Sequence, residues 1–254
     1  MNEVSIFDCI THPTLDKTWV NPKYNSYCDI ELLVDDLKKY NYCKAFAVGM
    51  KNIGAYEHKN FINMVKKYEQ LVPIAYCEDV AELDYIKQLG YRGIKIHPRF
   101  SKMNFTDERI PAIIKKANEL ELLPLLCTYF SSRELNVRNN LQELSVMMNG
   151  IPEEKVILLH SGVVNLLELV NMLKIYPNVL FDLSFTICKY VNSSLDMDIR
   201  FLFESFDQRI CIGSDHPEVQ LKFLRERFEF FSKDISQIKK ENIAYKNIIK
   251  WLTY

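Results

Sequence analysis

The chain has 254 residues, of which 48% are hydrophobic and 26% are charged, a composition typical of soluble globular proteins. Its formal net charge is −1, so its electrostatic field does not favour nucleic acid or an anionic membrane surface. The seven cysteines are an odd number and several lie in apolar runs, which argues against a disulfide framework. No stretch is apolar for the ~18 residues that a membrane helix requires. We therefore expect a cytoplasmic protein that binds neither nucleic acid nor membranes.

Eight short apolar runs recur along the chain, and several of them are rich in Val and Ile. Most are nearly continuous in apolar residues, which is the pattern of parallel strands that are covered on both faces. The runs are residues 4–10, 44–50, 72–78, 92–98, 123–130, 155–162, 178–184 and 209–215. They predict eight buried strands.

Helical patterns separate these runs. Between the third and fourth runs, apolar residues recur from Val80 to Leu89 at helical spacing, and Gly90 follows as a helix-ending residue. Repeating units of about 30 residues are typical of βαβ elements, and eight of them fit one closed (β/α)8 TIM barrel over residues 1–254. A doubly wound open sheet is the competitor, although the first turn lacks a Gly-rich phosphate motif. The segment 234–254 is predicted to be a closing helix.

Four of the five histidines lie at or just beyond the carboxyl ends of predicted strands 1, 4, 6 and 8: His12, His97, His160 and His216. Asp215 ends strand 8. The carboxyl ends of barrel strands converge on one rim, where active sites are built. This clustering favours a functional role for His12, His160 and Asp215 together. A single histidine at a strand end is more often structural, and His216 could merely start the last helix.

Lys95 and His97 share one face of strand 4, with Lys95 one layer deeper in the barrel. A buried lysine needs a compensating partner. The sequence leaves two partners open for Lys95, a substrate anion at the rim or a structural ion pair with Glu78. Asp182 and Ser184, at the end of strand 7, are weaker candidates for the rim.

Several segments resemble a known family. GYRGIKIHP, KVILLHSG, YPNVLFDLS and ICIGSDHP are similar, in order, to segments of the amidohydrolase superfamily. The similarity is closest to the TIM-barrel metal-dependent hydrolases of the amidohydrolase-2 branch, which is related to aminocarboxymuconate semialdehyde decarboxylase. It extends from FDCITHP to NIAYKNIIKWL, nearly the whole chain. The resemblance implies a metal-dependent hydrolase barrel.

The resemblance also assigns residues. Strand 1 of the family ends in two metal-binding histidines one residue apart; His12 matches the second, and Ile10 stands where the first is expected. Cys127 stands where strand 5 of the family supplies a histidine. His160 and Asp215 match the family residues of strands 6 and 8. The resemblance therefore implies a divalent metal, with zinc as first choice, held by residues among His12, Cys127, His160 and Asp215.

Two versions of this site stay open. His12, Cys127 and Asp215 could supply the three protein ligands of a zinc site, with Cys127 as thiolate. Alternatively no metal is used, as in the lactonases of this superfamily, where the strand 8 aspartate activates water and basic residues bind substrate carboxylates. Lys95, His97 and Arg99 would then contact the substrate, and His216 is a further candidate contact. The loop of residues 11–29 is predicted to cover the pocket with Trp19, Tyr24 and Tyr27.

The predicted function is hydrolysis of a small-molecule ester, lactone or amide by water that Asp215 activates. His160 and His97 would stabilise the negative charge that develops on the carbonyl oxygen. Two alternatives remain: a metal-dependent non-oxidative decarboxylase, and a catalytically silent barrel that serves as a binding protein. The substrate is expected to be a small molecule, with a carboxylate as one option, and a homodimer is also open.

Overall fold

The computed structural model describes residues 3–253, apart from the side chain of Glu134. Met1, Asn2 and Tyr254, which belong to the predicted domain and closing helix, lie outside that description. Eight parallel strands form one sheet in the order β1 to β8. The strands are β1 Ile6–Thr11, β2 Tyr42–Val48, β3 Leu71–Tyr76, β4 Gly93–Ile96, β5 Leu123–Cys127, β6 Val156–Leu159, β7 Val179–Asp182 and β8 Ile210–Cys211. Each strand overlaps one of the predicted apolar runs.

The sheet closes on itself between β8 and β1. The amide of Cys9 donates to the carbonyl of Ile212 at 3.0 Å, and the amide of Asp215 donates to the carbonyl of Ile10 at 3.1 Å. A third bond, from the His12 amide to the His216 carbonyl at 2.8 Å, continues this seam beyond the strand ends. The predicted (β/α)8 barrel is confirmed.

Helices alternate with the strands. They are α1 Ile30–Lys39, α2 His58–Val65, α3 Leu83–Leu89, α4 Pro98–Ser101, α5 Arg109–Glu119, α6 Arg133–Asn136, α7 Asn140–Asn149, α8 Leu166–Ile175, α9 Thr186–Lys189, α10 Leu195–Ser205, α11 Leu221–Ser232, α12 Gln237–Glu241 and α13 Asn247–Leu252. Three 3₁₀ segments, Pro22–Tyr27, Val80–Glu82 and His160–Asn165, and one π segment, Asn242–Lys246, complete the fold. No helix within residues 3–253 has the length and apolar character needed to cross a membrane.

Alternate strand residues point to two separate apolar regions. One cluster fills the barrel interior and includes Phe7, Phe46 and Leu125, whereas a larger cluster lies between the strands and the surrounding helices. Burial of each such side chain contributes roughly 1.5–3 kcal/mol to the driving force for folding. Ile10, the residue at which the sequence resemblance leads one to expect a histidine, is fully buried in the interior cluster.

The last segments of the chain close the amino-terminal end of the barrel. Ile248 belongs to the interior cluster, and Trp251 and Leu252 pack against it. The Asn247 side chain donates at 2.7 Å to the carbonyl of Ile210 at the start of β8. The predicted closing element is therefore present, divided into α12, the π segment and α13. A cavity lies at the carboxyl rim.

Candidate active site

A cavity of about 330 Å³ lies at the carboxyl rim of the barrel. Its lining combines ionisable side chains on the floor and rim with aromatic walls. The ionisable side chains are those of His12, Lys95, His97, Arg99, Tyr129, His160, Lys189, Asp215 and Glu218. Three further rings, those of Trp19, Phe100 and Phe185, also line the cavity, together with Val20 and Met50. The structure thus brings together six residues predicted from the sequence: His12, Lys95, His97, Arg99, His160 and Asp215.

His12 presents a lone pair to this cavity. Its Nδ1 lies 2.8 Å from the carbonyl oxygen of Val48. Because a carbonyl only accepts, Nδ1 carries the hydrogen and Nε2 is left as an acceptor. The ring is 2% exposed and stacks on Trp19 with a centroid separation of 5.2 Å. Burial and the nearby Lys95 lower the pKa of His12 to about 4, so the ring is neutral at neutral pH.

The amino group of Lys95 donates a hydrogen bond to Nε2 of His12. Lys95 Nζ lies 3.1 Å from His12 Nε2. A carboxylate oxygen of Asp215 lies 3.5 Å from His12 Nε2 as well. Burial lowers the pKa of Lys95, while the charge of Asp215 opposes that shift. The predicted alternative partner, Glu78, instead pairs with Lys51 outside this cavity. Lys95 is therefore part of the rim site.

Asp215 is the anion that balances these groups. Burial alone raises the pKa of its carboxyl group, but the charges of His160 and Lys95 outweigh it. The resulting pKa lies well below the usual range, so Asp215 is ionised at neutral pH. Its backbone has a left-handed φ of 59°, an uncommon conformation for a residue other than glycine.

His160 lies opposite this group, at the end of β6. Its Nδ1 is 3.2 Å from the Ser184 carbonyl oxygen and 3.0 Å from the Ser184 hydroxyl oxygen. Burial lowers the pKa of His160, but the interactions with Asp215, Cys127 and Asp182 outweigh burial and raise it to about 9. His160 is therefore expected to be an imidazolium at neutral pH.

Cys127 lies between two imidazoles and does not line the cavity. It is 2% exposed, and its thiol interacts with the imidazoles of His97 and His160. Burial raises the pKa of the thiol, but the two imidazoles outweigh this effect and place the pKa well below its usual value. His97 also caps α4, because its Nδ1 accepts from the Phe100 amide at 3.4 Å. Burial lowers the pKa of His97.

The predicted zinc site is not assembled by these residues. Within residues 3–253, one group of three potential ligands has all its ligand atoms within 4.8 Å of one another, and it consists of Cys9, Asp182 and Cys211. That group is fully buried and could hold a divalent metal, but it lies outside the cavity lining. No three of the four predicted ligands, His12, Cys127, His160 and Asp215, meet that distance.

The neighbourhood of His12 explains why a metal does not fit there. A metal ligand needs a free lone pair, and His12 Nε2 already accepts from the Lys95 ammonium group at 3.1 Å. A divalent cation at the same lone pair would lie against a second positive charge. The rim residues therefore do not fit the divalent metal that the resemblance implies.

His216 differs from its prediction as a substrate contact. It does not line the cavity, and its Nε2 lies 2.6 Å from the carbonyl oxygen of Tyr27. The strand ends at Cys211 and the chain turns at Asp215, so the alternation of faces does not continue to His216. Its ring anchors the segment Pro22–Tyr27, and the substrate-contact interpretation is corrected to a structural one.

Three aromatic residues of the loop 11–29 were predicted to cover the cavity, and one of them, Trp19, lines it. Its Nε1 donates to Glu218 at 3.2 Å. Tyr24 and Tyr27 line a different cavity, together with Pro217.

Lys189 and Tyr129 are among the cavity residues that were not singled out from the sequence. Lys189, in α9, donates through Nζ to the Tyr129 hydroxyl at 2.6 Å, and the Arg99 guanidinium lies 5.0 Å from the Tyr129 ring centroid. Burial raises the pKa of Tyr129, but Lys189 outweighs it and the net shift is downward. The sequence signal that could have identified Lys189 is its position, because Lys189 lies in the segment that follows the carboxyl end of β7.

No protein-family model matches the chain, and no curated protein matches it. Solved structures do match. An uncharacterised TIM-barrel protein from Bordetella bronchiseptica is 16% identical, with 98% of each chain covered and a TM-score of 0.81. A protein described as a probable 2-pyrone-4,6-dicarboxylic acid hydrolase from Acinetobacter baumannii, with citric acid bound, is 15% identical. That match covers 99% of this chain and 100% of the other, with a TM-score of 0.72.

A third match is a 5-carboxyvanillate decarboxylase from Novosphingobium aromaticivorans, in complex with manganese and 4-hydroxy-3-methoxy-5-nitrobenzoic acid. It is 14% identical, covers 87% of this chain and 79% of the other, and has a TM-score of 0.59. At such identities the three structures establish the shared TIM-barrel fold. The class defined by the fold and the cavity is thus a (β/α)8 barrel with a charged pocket at its carboxyl rim.

Proposed function

We propose that the protein is a hydrolase of the amidohydrolase superfamily that cleaves a lactone, ester or amide bond in a small carboxylate without a metal at the rim. The observation that carries this proposal is the Lys95 ammonium group on His12 Nε2, 3.1 Å away, beside the ionised Asp215. The sequence resemblance and the hydrolase among the structural matches support the same class.

The rim of the cavity supports a carboxylate in the substrate. Arg99 and Lys189 flank the Tyr129 ring, so two cations lie on one side of the opening. Guanidinium and ammonium groups bind carboxylates through charge-assisted hydrogen bonds. Trp19 and Phe100 line other parts of the same cavity and suit a planar apolar body.

The cavity floor can carry out hydrolysis with the groups of this chain. Asp215 holds a water molecule and accepts its proton as the water attacks the carbonyl carbon. The imidazolium of His160 and the ammonium of Lys95 stabilise the oxyanion in a site of low dielectric. The proton then passes to the leaving oxygen or nitrogen. A carboxylate with a low pKa is a weak base, so we expect the two cations to supply most of the acceleration.

Non-oxidative decarboxylation is the second candidate, favoured by the 5-carboxyvanillate decarboxylases among the structural matches and by the aromatic walls. In the family that the sequence resembles, this reaction normally depends on an intact metal site. The occupied lone pair of His12 counts against it here. A silent binding barrel remains the third reading.

Metal analysis and a substrate panel separate these readings. The protein would be purified without chelator, its metal content measured, and lactones, esters and amides of mono- and dicarboxylic acids tested beside aromatic carboxylic acids. We expect turnover of a lactone or ester that resists chelators and is abolished in Asp215→Asn. About one zinc per chain that disappears in His12→Ala would contradict the metal-free site. A metal lost only in Cys9→Ser would instead belong to the interior group.

Three further expectations belong to this proposal. All seven cysteines are free, as expected of a protein in the reducing cytoplasm. Residues 1–254 are proposed to form one domain, which limited proteolysis would check. The homodimer stays a prediction, for which sedimentation analysis at several protein concentrations is the measurement.

A further inference from the structure

A second aspartate lies below the cavity and has no role in the proposed reaction. Asp182 ends β7, has no exposed surface and does not line the cavity. Ser184, two residues later, is equally buried. Both contact His160, which does line the cavity.

The hydrogen bonds around His160 Nδ1 have a single consistent direction. The Ser184 carbonyl oxygen, 3.2 Å away, can only accept, so Nδ1 carries a hydrogen. The Ser184 hydroxyl oxygen, 3.0 Å away, also accepts from Nδ1, because its own hydrogen is donated to the carboxylate of Asp182. This arrangement leaves Nε2 outside the group formed by Ser184 and Asp182.

Asp182 is itself held in place by the loop that carries His160. Its Oδ1 accepts from the Ser184 amide at 3.1 Å, and its Oδ2 faces the His160 amide at 3.4 Å. The Ser161 hydroxyl donates to the Asp182 carbonyl at 2.8 Å. His160, Ser161 and Phe185 have left-handed φ values of 64°, 45° and 63°. Such conformations cost energy in residues other than glycine, and here the surrounding hydrogen bonds hold them.

We propose that Asp182, acting through the Ser184 hydroxyl group, is a positioning residue that fixes the ring orientation of His160 and the hydrogen on its Nδ1. This inference rests on the proposed function, in which His160 stabilises the oxyanion. Buried carboxylates orient catalytic imidazoles in other enzymes by the same means. Here the Ser184 hydroxyl group lies between the Asp182 carboxylate and the His160 ring.

A purely structural role makes a different prediction. The bond from the Ser184 amide to Asp182 would by itself form a turn after β7. Removal of the Ser184 hydroxyl group would then leave the environment of the His160 ring unchanged. The test therefore needs a signal from the ring itself, in addition to activity.

The first variant is Ser184→Ala in the full chain, which keeps Asp182 and the amide bond of the turn. Ser232→Ala is the matched control, because Ser232 is a buried serine of α11 whose hydroxyl has no hydrogen-bond partner within residues 3–253. The second variant is Asp182→Asn, which keeps the shape but exchanges one acceptor for a donor. Thermal unfolding of all three reports whether the fold is retained.

Protein labelled with ¹⁵N-histidine provides the ring signal. The Nδ1 hydrogen of His160, held between two acceptors in a buried site, should give a downfield proton resonance, which is assigned by its absence in His160→Gln. We expect Ser184→Ala and Asp182→Asn to shift or broaden this resonance, and Ser232→Ala to leave it in place. On substrate, kcat should fall about 10- to 100-fold in Asp182→Asn and about 10-fold in Ser184→Ala, with KM nearly unchanged.

An unchanged resonance in Ser184→Ala would overturn the positioning role, even if Asp182→Asn failed to fold. A loss of kcat in Ser232→Ala as large as that in Ser184→Ala would also overturn it, because the effect would then be general destabilisation. Absence of turnover by the unmodified protein on the whole panel would instead count against the proposed function. The ring resonance would still decide the positioning role in that case.

Discussion

Two groups of buried ionisable side chains lie one above the other at the seam of the barrel, and they differ in charge balance. At the rim, Asp215 is surrounded by Lys95 and His160, and its pKa is lowered although its side chain is only 18% exposed. In the layer below, desolvation is the largest influence on Asp8, although hydrogen bonds to Ser214 and Ile10 partly oppose it, and its pKa is raised to about 7. Asp182, also desolvated, is raised to about 6.

The difference shows that burial alone does not decide the protonation state of a carboxyl group. Desolvation is the largest single influence on both Asp8 and Asp215, and only nearby cations reverse its direction. At the rim the carboxyl group therefore stays ionised, whereas in the layer below burial shifts the pKa values of Asp8 and Asp182 upwards. Asp8 Oδ2, buried without a hydrogen-bond partner within residues 3–253, agrees with a carboxyl group that is protonated over part of the pH range.

Removal of the rim anion should have the largest effect. In Asp215→Asn, the charges of Lys95 and His160 stay buried without their partner, so we expect a loss of about 3–5 kcal/mol in the free energy of unfolding. Turnover should fall by about 10³-fold or more because the proton acceptor is gone. Denaturant titration and steady-state kinetics measure the two effects. A variant with near-normal turnover would show that another group activates the water.

Removal of the rim cation should be almost as damaging to activity and less damaging to stability. Lys95→Met keeps the length of the side chain but deletes a charge that is costly to bury. We expect kcat to fall about 10²- to 10³-fold through loss of oxyanion stabilisation, with a change in stability of about 1–2 kcal/mol or less. Lys51→Met, which removes a half-exposed lysine paired with Glu78 outside this cavity, is the control. Equal kinetics in the two variants would remove Lys95 from the mechanism.

The pH dependence of stability should distinguish the two layers. The folded-state pKa of Asp8, about 7, lies above its unfolded value of about 3.9, so folding favours its protonated form. Its contribution to stability is complete below about pH 4 and is lost as the pH rises towards 7, by about 1.4 kcal/mol per unit at most. The contribution of Asp215 has the opposite sign, because its lowered pKa stabilises the fold above about pH 4.

Asp8→Asn isolates that contribution. We expect the variant to lose less stability than the unmodified protein between pH 4 and pH 7, and to be relatively more stable at pH 8. Unfolding in urea at a series of pH values is the measurement, with turnover as a check that the rim is intact. Parallel stability curves for the two proteins would mean that Asp8 is ionised in the folded state.

The outer rim should affect binding more than catalysis. Arg99→Met and Lys189→Met each remove one cation from the side of the opening, so KM for a carboxylate substrate should rise about 10-fold with little change in kcat. A substrate analogue without the carboxylate should show no difference between the variants. Arg109→Met, which changes an exposed arginine of α5, is the control. A fall in kcat without a change in KM would place these residues in the chemical step.

Most of the barrel could be predicted from the sequence because its signals are local. Apolar runs define all eight strands, and Gly90 ends α3 in the left-handed conformation as predicted. The identities of the rim residues on β1, β4, β6 and β8 followed from the convergence of strand ends. The spacing of residues in the sequence could not predict the pairing of Lys95 with His12. The two residues belong to β4 and to the end of β1, which are separated in the sheet by β2 and β3.

The remaining differences arise where the regular alternation of strand residues ends. β8 is two residues long, and the backbone of Asp215 has a left-handed φ just before His216, whose ring does not line the cavity. Phe185 has a similar left-handed conformation after β7 and starts the short helix that carries Lys189 into the cavity. Neither turn contains a glycine at that position to mark it in the sequence.

His216→Ala should change activity least of all these variants. It tests whether the His216 ring is a structural group outside the cavity. Its Nε2 holds the Tyr27 carbonyl oxygen, so the substitution should cost about 1–3 kcal/mol of stability and loosen the segment Pro22–Tyr27. The ring does not line the cavity, and so kcat and KM should each change by about threefold or less. Thermal unfolding and kinetics on the same preparation are the measurements. A large rise in KM with unchanged stability would return His216 to the substrate contacts, because a ring that only anchors the segment would affect stability first.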